Sequence, residues 1–189
     1  TQGYSSAASD VYKRQIFAEQ LLKMNFTIVE IPELSGEKCQ IFSIRFDEDD
    51  DTIYEKFSAT FYDEYQDEVQ DIYDRLLFIG KEGGARRDFF KRNEGKPGDG
   101  VCALYDNPDH KLRLYCIVFG TVAIILGGGG PKPEGVRAWQ DNPNLKANAE
   151  LMIRISQRIT KAIHNKEIQV TDKGLSGDLR IIDDNNDDE

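Results

Sequence analysis

Val101-Cys102-Ala103-Leu104-Tyr105, a polar turn over Asp106–Lys111, and Leu112-Arg113-Leu114-Tyr115-Cys116-Ile117-Val118-Phe119 decide the fold. The two apolar runs around a turn holding Asp, Asn and Pro read as a β-hairpin. After Gly120, Thr121–Leu126 reads as a third strand. Side chains alternate across a strand. If Cys102 faces Cys116, one face carries Cys102, Leu104, Leu112, Leu114, Cys116 and Val118. The other carries Tyr105, Arg113, Tyr115 and Ile117. The first face is expected to be core. The second is expected to hold Arg113 and Tyr115 in water above the sheet.

Upstream, Phe26–Ile31 and Gln40–Phe46 read as strands around the turn-like Pro32–Lys38. Asp47–Asp51 is a solvated acidic turn, placed to favour the positive end of a following helix. That helix is predicted from about Thr52 to Ile79. Tyr54, Phe57, Phe61, Tyr65, Val69, Ile72 and Leu76 recur at steps of three and four, which makes one buried stripe. A short basic helix is expected over Ala85–Arg92, then a loop over Asn93–Gly100. Downstream, Asn142-Pro143 is an N-cap with proline at the first helical position. Leu145, Ala149, Met152, Ile155, Ile159 and Ile163 form the stripe of a second long helix. Glu167–Val170 and Leu179–Ile182 are expected to form an extra C-terminal strand pair. The fold class is therefore α+β, a central antiparallel sheet flanked by two long helices.

One domain over residues 16–182 suits this length, with a disordered acidic tail over residues 183–189. Ser5-Ser6-Ala7-Ala8-Ser9-Asp10-Val11-Tyr12-Lys13-Arg14-Gln15 looks like the in-frame translation of a transposase adapter from sequencing libraries. Residues 1–15 are accordingly set aside as a non-native tail, with Met24 as the expected natural start.

The longest apolar run, Leu114–Leu126, is interrupted at Gly120 and Thr121 and is too short to span a bilayer. No secretory signal opens the chain, so a cytoplasmic location without membrane contact is expected. Three cysteines without regular spacing read as reduced thiols, and two histidines make a zinc site unlikely on numbers alone. No metal or cofactor is expected. The formal charge of −10 argues against a whole-surface grip on nucleic acid. The acids, however, concentrate in Asp47–Asp74 and Asp183–Glu189. Over Arg86–Arg137, nine basic residues face six acids, so a locally positive surface is expected there.

Gly127-Gly128-Gly129-Gly130-Pro131-Lys132 follows a strand but lacks the Gly-Lys-Ser/Thr ending of a phosphate loop. Its glycines are expected to serve a tight bend or a close approach to a neighbour. Cys102 and Cys116 are expected as core residues in preference to a redox pair. His110 and His164 lack the partners of a hydrolase triad. Trp139 is expected to pack the start of a helix in preference to stacking a base. Arg113 and Tyr115, with Arg86, Arg87, Lys91 and Arg92 before the hairpin and Lys132 and Arg137 after it, form a set able to grip phosphates. Ordinary surface charge, with Arg113 in a structural ion pair, is the competing reading.

Lys111-Leu112-Arg113-Leu114-Tyr115-Cys116-Ile117, then Val122–Leu126 and Lys132, resembles the RelE/ParE toxins and their HigB-like members over roughly Phe57–Ile163. The resemblance implies a RelE-like fold and a toxin paired with a helix-turn-helix antitoxin. It implies a metal-independent endoribonuclease acting on ribosome-bound mRNA, with Arg113, Tyr115 and Lys132 as catalytic residues. Arg86, Arg87, Lys91, Arg92 and Arg137 would then hold RNA. The acidic charge, the length and the C-terminal extension depart from that pattern. The rival expectation is a non-catalytic protein-binding module of a mobile element on the same scaffold. Convergence of Arg113, Tyr115 and Lys132 in an open, positive cleft favours the first, and their burial or dispersal favours the second.

Overall fold

Two separate apolar helical stripes need two surfaces to cover, and the sheet of this protein offers both of its faces. The computed structural model describes residues 25–92, 94–95, 98–105, 107, 110–132 and 142–182. Strands β1 (Phe26–Glu30) and β2 (Gln40–Phe46) pair antiparallel, Phe26 opposite Phe46. Helices α1 (Ile53–Phe61) and α2 (Gln66–Phe78) follow, the second running into a π-helical turn at Ile79–Gly83. A 3-10 turn at Arg87–Phe89 leads into the two-residue strand β3 (Phe90–Lys91). Then come β4 (Val101–Leu104), β5 (Leu112–Phe119), β6 (Ala123–Pro131) and the 22-residue helix α3 (Pro143–His164). Strands β7 (Ile168–Thr171), β8 (Gly174–Gly177) and β9 (Arg180–Ile181) close the described chain.

Seven strands form one mixed sheet in the order β3-β4-β5-β6-β2-β1-β9. Every pairing is antiparallel except β2 with β6, which run parallel from Gln40 opposite Ala123. On one face Cys102, Leu104, Leu112, Leu114, Cys116, Ile124 and Leu126 pack against Tyr54, Phe57, Val69, Ile72 and Leu76 of α1 and α2. On the other, Val101, Ala103, Tyr115, Ile117 and Ile125 pack against Leu145, Ala149, Met152, Ile155 and Ile159 of α3. The sheet is thus the middle of three layers. That corrects the expectation of one dry and one wet face, and the reason is α3, whose stripe has nowhere else to be buried.

The hairpin register with Cys102 opposite Cys116 and the Asn142 cap match their expectation, and the expected antiparallel sheet is antiparallel in all but its β2–β6 pairing. The single helix over 52–79 does not, because the chain breaks at residues 62–65 into α1 and α2. Asp63–Asp67 and Glu64–Glu68 would be like-charge pairs one helical turn apart, which disfavours continuing the helix. Asp67 and Glu68 instead sit in the first turn of α2, where the helix dipole welcomes them. The apolar stripe survives the break, because Phe57, Phe61 and Tyr65 stay in ring contact at 5.2 and 6.1 Å. Thr52 caps α1 in a box with Glu55, a closure that contributes about 1 kcal/mol. The predicted short basic helix is a single 3-10 turn, because Phe90 is drawn into the sheet opposite Leu104.

The C-terminal strands also pair differently. β7 pairs with β8 in a separate hairpin, while β9 extends the main sheet beside β1. Gly174 makes that hairpin possible, at a φ of +119° that a side chain would resist.

The glycine run lies inside β6. Asn144, Asn148 and Met152 of α3, one helical turn apart, lie where the side chains of residues 130, 128 and 127 would stand. The helix settles into a trough left by missing Cβ atoms, so close approach is the use made of these glycines. Ser43 ties three elements together beneath α1. Its buried hydroxyl donates to the Leu126 carbonyl at 2.9 Å and accepts from the Tyr54 amide at 3.2 Å. No described helix is long and apolar enough to cross a membrane.

Candidate functional site

Strand alternation sends Arg113 and Tyr115 of β5 to the α3 side of the sheet, opposite Leu112 and Leu114. Arg113 pairs with Gly130 of β6, and Lys132 follows the same strand with its amide donating to the Lys111 carbonyl at 2.8 Å. The predicted catalytic residues therefore belong to neighbouring strand positions, as the sequence implied. Their surroundings do not match. Arg113 is 5% exposed and Tyr115 is 0% exposed, and only Lys132 is in partial contact with solvent.

Arg113 is also ion-paired. Its Nη1 donates to both oxygens of Glu94, at 3.1 and 3.2 Å, and Glu94 is itself buried. A guanidinium neutralised by a carboxylate in a dry layer has no charge left for a phosphate. The Nε of Arg113 is buried with no hydrogen-bond partner among the described residues, and the Tyr115 hydroxyl is buried beside Arg113. Burial pushes the Tyr115 phenol up to about 12; the Glu94 charge adds to this and Arg113 opposes it. Such a phenol neither takes up nor releases a proton usefully near neutrality. The expectation that Arg113 and Tyr115 stand in water in an open cleft is thus corrected. They form a buried polar cluster with Glu94.

Buried ionisable groups on both faces of the sheet have a measurable signature. Burial also holds the Tyr54 phenol and the Cys39 thiol up at about 12. Each of these pKa values lies above its unfolded counterpart. Their contribution to stability is therefore full below the unfolded values and lost as pH rises through the folded ones. Urea midpoints are expected to hold steady up to about pH 9 and to fall from there towards about pH 12. A flat profile across that window would show these groups ionising freely in the native state.

The predicted RNA-holding residues fall elsewhere. Arg86, Arg87 and Arg92 are exposed and Lys91 is half-buried, all beside β3 at one edge of the sheet. The Arg86 guanidinium lies 4.8 Å from the Phe89 ring centre, and the Lys91 ammonium lies 5.0 Å from that of Tyr105. Phe89 in turn meets Phe78 edge-on at 6.0 Å. Arg137 and Trp139 lie outside the described residues, as do residues 1–15 and 183–189.

Other candidates find structural uses. The Cys102 and Cys116 sulfurs stand 3.4 Å apart as buried free thiols, and burial drives the Cys116 thiol well above its usual range. A thiol held that way is a poor nucleophile. His110 Nδ1 lies 3.4 Å from Asp71, at the surface of α2. Among the described residues no group of three or more His, Cys, Asp or Glu side chains is placed to hold a metal ion.

Sequence reasoning missed two things here. Glu94 was counted only as one acid in a glycine-rich loop, and Phe78, Phe89 and Tyr105 were not joined to the basic residues. Both are tertiary juxtapositions with no local periodicity to reveal them. No family model matches this chain, and neither curated proteins nor solved structures provide a match.

Proposed function

We propose that this protein is a non-catalytic, protein-binding member of a toxin–antitoxin-type pair, on a RelE-like scaffold that does not cut RNA. Its partner is a small helix-turn-helix protein. One observation carries the reading: Arg113, the cation that cleavage would need, is buried and paired with the equally buried Glu94. Electrostatic stabilisation of a phosphorane requires donors aimed at the reacting phosphate, not at a buried carboxylate. The resemblance is the ground for the kind of partner, and the burial of Arg113 supports the non-catalytic reading.

Expression of the chain alone is expected to leave growth unaffected, and the purified chain to leave mRNA intact on translating ribosomes. Co-expression with the adjacent reading frame is expected to yield a stable complex when that frame encodes a helix-turn-helix protein. RNA cleavage that disappears in Lys132→Ala would overturn the reading, because Lys132 is the one member of the trio not sealed in the interior.

A further inference from the structure

The edge of the sheet at β3 combines three features found together nowhere else among the described residues. The first is exposed aromatic surface. Phe78 and Tyr105, 42% and 52% exposed, are two of the five large apolar side chains left in water. Phe89 bridges them, in ring contact with Phe78 and with its carbonyl accepting from the Tyr105 amide at 2.7 Å. The second is cationic charge held in place. Over residues 86–92 the sequence holds four cations, Arg86, Arg87, Lys91 and Arg92, and one acid, Asp88. Arg86 and Lys91 are steered by the rings beneath them. The Arg86–Asp88 ion pair, at 3.3 Å and well exposed, is weak enough to give way to a competing carboxylate. The third is a sheet edge, where β3 ends the seven-stranded order.

We infer that this edge is the partner-docking surface, and that the partner contacts it with an acidic protein segment laid across Phe78, Phe89 and Tyr105. The inference rests on the protein-binding reading above and adds the site and the chemistry of the occupant. Arginine and aromatic side chains are the residues that concentrate binding energy at protein interfaces. The strip is positive within a chain of net charge −10, so charge complementarity selects an anionic occupant.

That occupant is a peptide, not a nucleic acid, because of what flanks the strip. Asp67, Asp71 and Asp74 lead up α2 to Phe78 on one helical line. A phosphate backbone carries a charge at every nucleotide and would be driven past these carboxylates. A peptide can instead place a few acids against Arg86, Arg87 and Lys91, and apolar side chains against the rings.

The test is fluorescence anisotropy of the full chain with a labelled peptide of Glu, Asp and Leu. A second peptide with Lys replacing each acid, and a single-stranded oligonucleotide, serve as competitors. Binding of the acidic peptide is expected, weakening with salt. A loss of about tenfold or more is expected in Arg86→Ala/Lys91→Ala and, separately, in Tyr105→Ala. These side chains lie at the surface, so unchanged thermal unfolding separates lost binding from lost folding.

Variants that bind as tightly as the parent would overturn the inference, as would an oligonucleotide that binds in preference to the peptide. If the variants still hold the helix-turn-helix protein, the protein-binding reading stands and only this site falls. RNA cleavage would remove the reading while leaving the peptide measurement interpretable by itself.

Discussion

Gly129→Ala is expected to destabilise the protein severely, by about 3 kcal/mol or more. A Cβ at that position would lie 1.8 Å from the Arg113 carbonyl oxygen and 2.9 Å from its carbon. Both are backbone atoms of the neighbouring strand, so no side-chain rotation relieves the clash. β5 and β6 would have to separate where Leu114 pairs with Gly129, next to the register shift between Leu114 and Cys116.

Gly127→Ala is the control. Its Cβ would meet the Met152 sulfur at 2.3 Å, but that is the end of a flexible side chain able to move. A loss of about 1 kcal/mol is expected there, and Met152→Ala in the same chain should relieve the crowding while opening a gap of its own. Urea unfolding midpoints compare the variants directly. Equal, small effects at residues 127 and 129 would mean that the two strands are not held this closely.

Glu94→Ala is expected to cost about 3–5 kcal/mol. The carboxylate accepts both bonds from Arg113 Nη1 in an environment where each partner is nearly dry. Removing it leaves a guanidinium buried beside the Tyr115 phenol with nothing to balance its charge. A double change, Glu94→Leu with Arg113→Met, removes both charges and is expected to recover most of the loss, since apolar replacements of buried ion pairs are often neutral or better. Thermal and urea unfolding of the single and double variants measure this coupling. A harmless Glu94→Ala would mean that water reaches Arg113, and the case against catalysis would weaken with it.

Much of the architecture was legible locally. The two stripes, Tyr54 to Leu76 and Leu145 to Ile159, identify helical faces because residues three and four apart share a side of a helix. The hairpin register follows from the apolar runs around residues 106–111, and the Asn142-Pro143 start from capping chemistry. The break at residues 62–65 was harder to read, because the chain keeps its apolar phase through the interruption. β5 carried a hint that was passed over. Leu112–Phe119 is almost continuously apolar, a pattern that suits a strand covered on both sides better than one half in water.

The sequence by itself determined most strand segments, the buried stripes of the helices and the presence of a short basic stretch at residues 85–92. These depend on neighbours a few residues away, and short-range spacing encodes them. Only the tertiary structure decided that α3 packs over Tyr115, that Arg113 is buried and paired with Glu94, and that Phe78, Phe89 and Tyr105 gather beside the cations. Those arrangements join residues distant along the chain. Whether an arginine on a strand meets water or a carboxylate depends on which helix covers that face, and strand alternation alone does not say.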